Sequence, residues 1–340
     1  MAPHTTRRWL LGLGALALPA AALGVARARW GGAGAASPPV AVPGPAARTS
    51  ASGPPVVTQG GGPVPFHPGK AMLGAYLNLT GMSPQQALDL RRRQLGRDER
   101  ILHLFYGWND RLPTTIPYLR RGVVPLISWR GTAYRGILDG SADALIARAA
   151  RNLRALGRPA MLRWGWEMNG DWYPWGGAGN GQDPGGFVDS WRRIHGIFRD
   201  QGAANVSWVW SANWNDKPDQ AWNRYQHYYP GDDYVDWAGV SGYNLHRETP
   251  DTLFDAFYAA YAPTKPLIIT EVGAVDRGGR TKADWITLLQ RWVDRRPAVG
   301  AVVWFDTDTH PGYAERWRMD TDPQALAAYR AMAGDPRFSA

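Results

Sequence analysis

From Met72 onward the chain alternates short, unbroken apolar runs with longer stretches in which apolar residues recur at helical spacing. The runs are MLGAYLNL (72–79), ILHLFYG (101–107), VVPLISW (123–129), AMLRWGW (160–166), VSWVWSA (206–212), WAGVSGY (237–243), PLIITEV (266–272) and AVVWFD (301–306). Each has strand length and is apolar at both parities, the pattern of a strand covered on its two faces. Between the runs lie helix candidates at 83–95, 141–156, 183–199, 251–261, 281–295 and 322–332, with shorter ones near 116–121 and 222–229. Ser83 followed by Pro84 is an N-cap and first-turn pair. Eight strand and helix units between residues 66 and 340 predict a single α/β domain, a (β/α)8 TIM barrel. No glycine fingerprint follows the first run, so an open dinucleotide-binding sheet does not fit.

The pattern is absent before Phe66. Residues 1–28 carry a twin arginine (Arg7, Arg8), an apolar run from Trp9 to Val25 and Ala26-Arg27-Ala28, which resembles a twin-arginine export signal and its cleavage site. Gly12, Gly14, Pro19 and Gly24 interrupt the run, which favours a removable signal over a membrane anchor. Residues 29–65 are rich in Gly, Ala, Pro and Ser and read as a disordered spacer. The expectation is a secreted or cell-envelope protein, monomeric, and without stable membrane association once the signal is cut.

The chain has no Cys, which excludes disulfides, a thiol nucleophile, thiolate-bound zinc and a lipoprotein anchor. Its seven His show no ligand spacing, so neither a metal nor another cofactor is expected. Gly69-Lys70 lacks the upstream glycine and the following Ser or Thr of a phosphate loop. The net charge of +9 includes three arginines of the leading segment, and the other arginines are scattered along helices, so no nucleic-acid partner is expected.

In a barrel of this kind the site is built where strands end. Two carboxylates stand there, Glu167 after the fourth run and Glu271 at the end of the seventh. Residues 163, 165 and 167 share a parity, as do 267, 269 and 271, so each Glu is expected to point inward with its strand's inward side chains. Glycoside hydrolysis requires two carboxyls in unlike protonation states. Glu167 stands among the rings of RWGWEMNGDWYPW, which disfavour its charged form, and a cleft arginine such as Arg163 would hold Glu271 ionised. Either Glu could equally be a structural ion-pair acid. Eighteen Trp exceed what a core of this size needs, and some are expected to line a groove.

The segment RWGWEMNGDWYPW resembles the acid/base segment of glycoside hydrolase family 26, and LIITEVG resembles its nucleophile strand. WVWSANW (208–214) and YYPGDDYVDWAGVSGYN (228–244) match in the same order. The resemblance implies a retaining endo-β-glycanase with a polysaccharide substrate, most often β-1,4-mannan, with Glu167 as general acid/base and Glu271 as nucleophile. Tyr243 and Arg163 would orient and charge-stabilise Glu271. Trp166, Asn169, Trp172, Trp175 and Trp304 would bind substrate, Asp171 could hydrogen-bond hydroxyls, and Trp304 is the expected stacking platform. Trp166 stands where many members carry His, which leaves mixed-linkage β-glucan, xylan or an exopolysaccharide open as substrate. A non-catalytic glycan-binding barrel is the reading from a different class. Trp108 and Trp129 are candidates for distal subsites; Trp208, Trp210 and His103 read as packing residues.

Overall fold

The structure, a computed structural model, describes residues 56–308 and 317–340. The expected signal (1–28) and most of the spacer (29–55) lie outside the described residues. Eight strands close into one parallel barrel in chain order: β1 Met72–Asn78, β2 Ile101–Tyr106, β3 Val124–Trp129, β4 Ala160–Trp164, β5 Val206–Asn213, β6 Trp237–Asn244, β7 Leu267–Ala274 and β8 Val299–Thr307. Closure comes from β1 pairing with β8, in a continuous register from Met72 opposite Ala301 to Asn78 opposite Thr307.

The helices are α1 Pro84–Leu95, α2 Arg135–Leu138, α3 Asp143–Ala155, α4 Pro184–Asp200, α5 Pro250–Tyr261, α6 Thr281–Asp294 and α7 Pro323–Gly334. Four start on Pro, whose missing N–H costs nothing in the first turn. Ser83 closes a full capping box with Gln86, and Thr249 and Asp322 cap α5 and α7 through their side chains. The two short helices expected near 116–121 and 222–229 are not α-helical. The first is a turn closed by Leu119 N–H on Ile116 O, and the second is a pair of 3-10 turns, Ala221–Asn223 and Tyr225–Tyr228. Both are too short to repay helix nucleation, and they bury Ile116, Leu119, Tyr225 and Tyr228 without it.

Inside the barrel, Met72, Ile101, Leu126, Met161, Val209, Ile268, Ala301 and Val303 pack into one apolar layer. Its floor is the last part of the segment read as spacer. Val64 and Phe66 are buried in that same layer, Val64 N–H donates to Ser207 Oγ at 2.9 Å, and the Trp237 indole donates to Gly61 O at 3.0 Å. The boundary drawn at residue 65 therefore moves: residues 56–65 belong with the barrel. Their composition reads as a linker because glycines make the turn, with Gly61 at φ +90° and Gly62 at +61°, while Val64 is the buried apolar anchor and Val56 and Val57 pack half-buried against the core.

Candidate active site

Above the apolar layer the inward side chains become polar, and the first of them is Arg163 on β4, fully buried. Past the end of β4 the chain bends sharply. Gly165 has φ +55° and Glu167 φ +54°, and a left-handed backbone at a residue with a Cβ costs on the order of 1 kcal/mol. Glu167 is held there by its own N–H on Ser211 O at 2.8 Å and by Gly170 N–H on its carbonyl at 2.9 Å. The bend directs a carboxyl from the strand end back over the barrel.

Glu271 reaches the same place by a different device. On β7 the inward residue of the apolar layer is Ile268, so the parity expectation that grouped 267, 269 and 271 is wrong below the site. The register against β6 jumps from Val240–Ile269 to Ser241–Glu271, and against β8 from Ile269–Val302 to Val272–Trp304. One extra residue, Thr270, is absorbed in a β-bulge, and the bulge resets the alternation so that Glu271 turns inward.

Both oxygens of Glu271 are engaged. Arg163 Nη1 donates to Oε1, and the Tyr243 hydroxyl donates to Oε2 at 2.6 Å. Arg163 is itself fixed by Ser128 Oγ at 3.2 Å and Ser241 Oγ at 2.7 Å. Ser128 meets His103 Nε2 at 2.6 Å, and Thr270 Oγ1 lies 3.3 Å from Ser241 Oγ and 2.8 Å from Ser211 Oγ. The result is a hydrogen-bonded polar belt across β2, β3, β4, β5, β6 and β7. Burial and the neighbouring Arg163 charge hold the His103 imidazole well below its usual range, which keeps it neutral beside the guanidinium.

Glu167 Oε2 accepts from Trp172 Nε1 at 3.1 Å. Burial first, and the Glu271 charge second, push its carboxyl up to about 7. The same two causes raise the Tyr243 phenol well above 10 and so keep it a proton donor to Glu271.

The aromatic lining differs in part from expectation. Trp166 packs edge-on against Phe105 with centroids 5.3 Å apart and takes the Arg163 guanidinium over its ring at 5.2 Å. Trp172 and Tyr173 are half-buried at the mouth. Three expected contacts are corrected. Asn169 is fully buried, donating to Asn213 O and Asp216 Oδ1 and accepting from Asn213 N–H, so its amide ties the loop after β4 to the loop after β5. Trp175 is 1% exposed, with its indole N–H on Trp166 O and its ring stacked on Tyr173 at 4.2 Å, so it backs the lining. Trp304 is fully buried against Trp285 and Tyr329 with its N–H on Trp317 O, on the outer side of β8.

The residue that faces inward is Phe305, stacked on Tyr76 with centroids 5.0 Å apart and edge-on to Tyr243 at 5.7 Å. Sequence reading missed it because Trp304 and Phe305 are both apolar and aromatic, so parity alone could not choose between them. Tyr76, Phe105 and Tyr173 were missed as well; Tyr173 stood in the segment already singled out. Asp171 is exposed on its loop. Trp129 is fully buried under a half-buried Trp108, stacked at 4.6 Å, while Trp208 and Trp210 pack outward against α4 and α5 as expected. Among the described residues no group of three or more His, Asp or Glu is placed to hold a metal ion.

The family model for glycosyl hydrolase family 26 matches residues 124–331, a span that runs from β3 into α7 and includes both carboxylates. The chain belongs to glycosyl hydrolase family 26. Endoglucanase H of Acetivibrio thermocellus is 34% identical over 281 residues, 77% of this chain and 30% of that protein. Mannan endo-1,4-beta-mannosidase A and B of Caldalkalibacillus mannanilyticus is 29% identical over 148 residues, 42% of this chain and 26% of that protein. The chain thus spans under a third of the length of these relatives. Among solved structures, a family 26 β-mannanase from Bacteroides ovatus superposes with a TM-score of 0.58 at 16% identity, covering 79% of this chain and 89% of its own, a likeness of fold. In this chain the bulge and the left-handed turn each bring one carboxyl to the ends of β7 and β4.

Proposed function

We propose that the protein is a retaining endo-β-glycanase in which Glu271 is the nucleophile and Glu167 the general acid/base. The observation that carries this reading is the unlike surroundings of two carboxyls over one cleft: Glu271 accepts from Arg163 and Tyr243, while Glu167 sits under rings with its carboxyl raised to about 7. A Glu271 oxygen attacks the anomeric carbon as Glu167 gives its proton to the glycosidic oxygen; the bond to the leaving sugar breaks and a glycosyl ester forms. Esterification removes the negative charge of Glu271, which is the second cause of the raised Glu167 carboxyl. Glu167 then becomes the stronger acid and, as its conjugate base, takes the proton from the water that attacks the ester carbon. The product keeps its anomeric configuration. The half-buried Trp172 and Tyr173 offer apolar faces to pyranose C–H groups.

The resemblance of the motifs supports a β-1,4-mannan backbone. A β-glucan is the second reading, favoured by the 34% identity to an endoglucanase along 77% of the chain and by Trp166 at the position beside the acid. Export from the cytoplasm belongs to the same proposal and rests on residues 1–28. Reducing-sugar release from mannan, glucomannan, barley β-glucan, xylan and curdlan, with Glu271→Ala as control, tests activity and substrate together. Proton NMR of the first-formed anomer tests the mechanism, and inversion would reject it.

A further inference from the structure

The outer surface carries a charge asymmetry that the site does not use. In a barrel of this topology the helices run antiparallel to the strands, so their C-terminal ends crowd the rim opposite the cleft. On the sector from β2 to β5 that rim is built from arginine. Arg92 and Arg93 end α1, Arg120 and Arg121 precede β3, and Arg151 and Arg154 lie in the last turns of α3; five of them are exposed and Arg120 is half-buried. The patches are contiguous: Arg158 donates to Leu119 O, Arg120 O and Val123 O, Arg120 reaches Asp89 on α1 at 3.1 Å, and Arg151 and Arg154 both meet Gln201 beyond α4. Asp89 and Asp98, paired with Arg120 and Arg92, answer only part of this charge. The opposite sector is balanced, with Arg296 between Asp251 and Asp255 and Lys265 beside Asp232.

The same end of the barrel receives the N-terminal chain. Val57 N–H bonds to Ala262 O just before β7, and Val64 plugs the barrel floor at the strand starts. The described chain thus begins at that end of the barrel, and the apolar run from Trp9 to Val25 precedes it in the sequence.

We propose that the arginine rim is a docking face for an anionic lipid surface, with the cleft opening at the far end, away from it. Charge supplies the complementarity: each arginine held near an anionic leaflet adds about 1 kcal/mol of attraction, roughly a fivefold gain in partitioning, and the effect falls off within a Debye length. The proposal is independent of the substrate reading.

The test uses the full chain and sedimentation with vesicles of phosphatidylcholine, alone or with about a third phosphatidylglycerol. The parent should partition at least about tenfold more strongly onto the anionic vesicles at low salt, and the preference should vanish by about 0.5 M NaCl. The variant R93Q/R121Q/R151Q/R154Q should lose most of the preference, the Lys variant at the same positions should keep it, and the charge-matched K70Q/R291Q/R295Q/R330Q on the other sector should behave as the parent. Equal anionic preference in the parent and the Gln variant overturns the proposal, as does equal loss in the two Gln variants, which would make net charge the cause. Binding of the parent to a soluble acidic polysaccharide without preference among vesicles overturns the lipid assignment.

Discussion

The indole N–H of Trp172 lies 3.1 Å from Glu167 Oε2 and donates to that carboxyl. The donor favours the charged form and works against the burial that raises the group to about 7. For kcat/KM this predicts an activity that falls as pH rises through about 7, because the protonated acid is lost. Trp172→Phe keeps the apolar ring and removes the donor, so the alkaline limb should move to higher pH. A profile that moves to lower pH would show that Trp172 acts on Glu167 chiefly through burial.

Ser128 accepts from Arg163 and so fixes the guanidinium that engages Glu271. Ser128→Ala leaves a buried N–H of a cation without its acceptor. We expect kcat to fall roughly tenfold, equivalent to about 1.4 kcal/mol, with KM little changed. Ser128→Thr should restore most of the rate if the hydroxyl is what matters. A change confined to KM would instead assign Ser128 to substrate binding.

The barrel was legible in the sequence because eight runs apolar at both parities have few alternatives. The two carboxylates were legible because a lone acid at a strand end amid rings, or closing a strand, is conspicuous. What failed was parity. Glu271 faces inward only because Thr270 is bulged out of register, and nothing in LIITEVG distinguishes a bulged strand from a regular one. The same ambiguity exchanged Trp304 for Phe305. Asn169 was misread for another reason: an amide in a cleft loop suits a sugar and a loop clamp equally, and only the partners of its four hydrogen-bonding positions decide.

The floor segment yields a stability prediction. A chain beginning at Phe66 loses the buried Val64 side chain and unpairs Ser207 and the Trp237 indole. Burial of a valine and two or three hydrogen bonds together contribute on the order of 2–4 kcal/mol, so its Tm should lie roughly 5–10 °C below that of a chain beginning at Val56. Equal melting temperatures would return residues 56–65 to the spacer.

Glu99 is buried beside Tyr329, with Oε1 unpartnered and its carboxyl pushed up to about 8, by burial first and by the Asp306 charge second. A carboxyl raised by folding stabilises fully below its unfolded value of 4.5 and progressively less as pH climbs to about 8. Across that window the native protein should lose stability relative to Glu99→Gln by up to about 1.4 kcal/mol per pH unit. Thermal melts of both proteins between pH 5 and 8 check this, and parallel curves would mean that Glu99 does not take up a proton on folding.

The roles assigned to Glu167 and Glu271 separate when the leaving group needs no proton. Glu271→Ala should lower turnover of every accepted glycoside by at least about 10⁴-fold, because no other carboxylate at the site is held by Arg163 and Tyr243. Glu167→Ala should lose polysaccharide cleavage, since an alkoxide leaves poorly without protonation. With an aryl glycoside whose phenolate leaves unaided, the first step persists and the second, which needs a base, becomes slow. The signature is a burst of phenol equal to the enzyme present, followed by a slow steady rate that added azide accelerates by attacking the ester in place of activated water. If Glu167→Ala gave neither burst nor azide rescue while remaining folded, Glu167 would not be the acid/base, and the raised carboxyl would belong to the packing of the loop after β4.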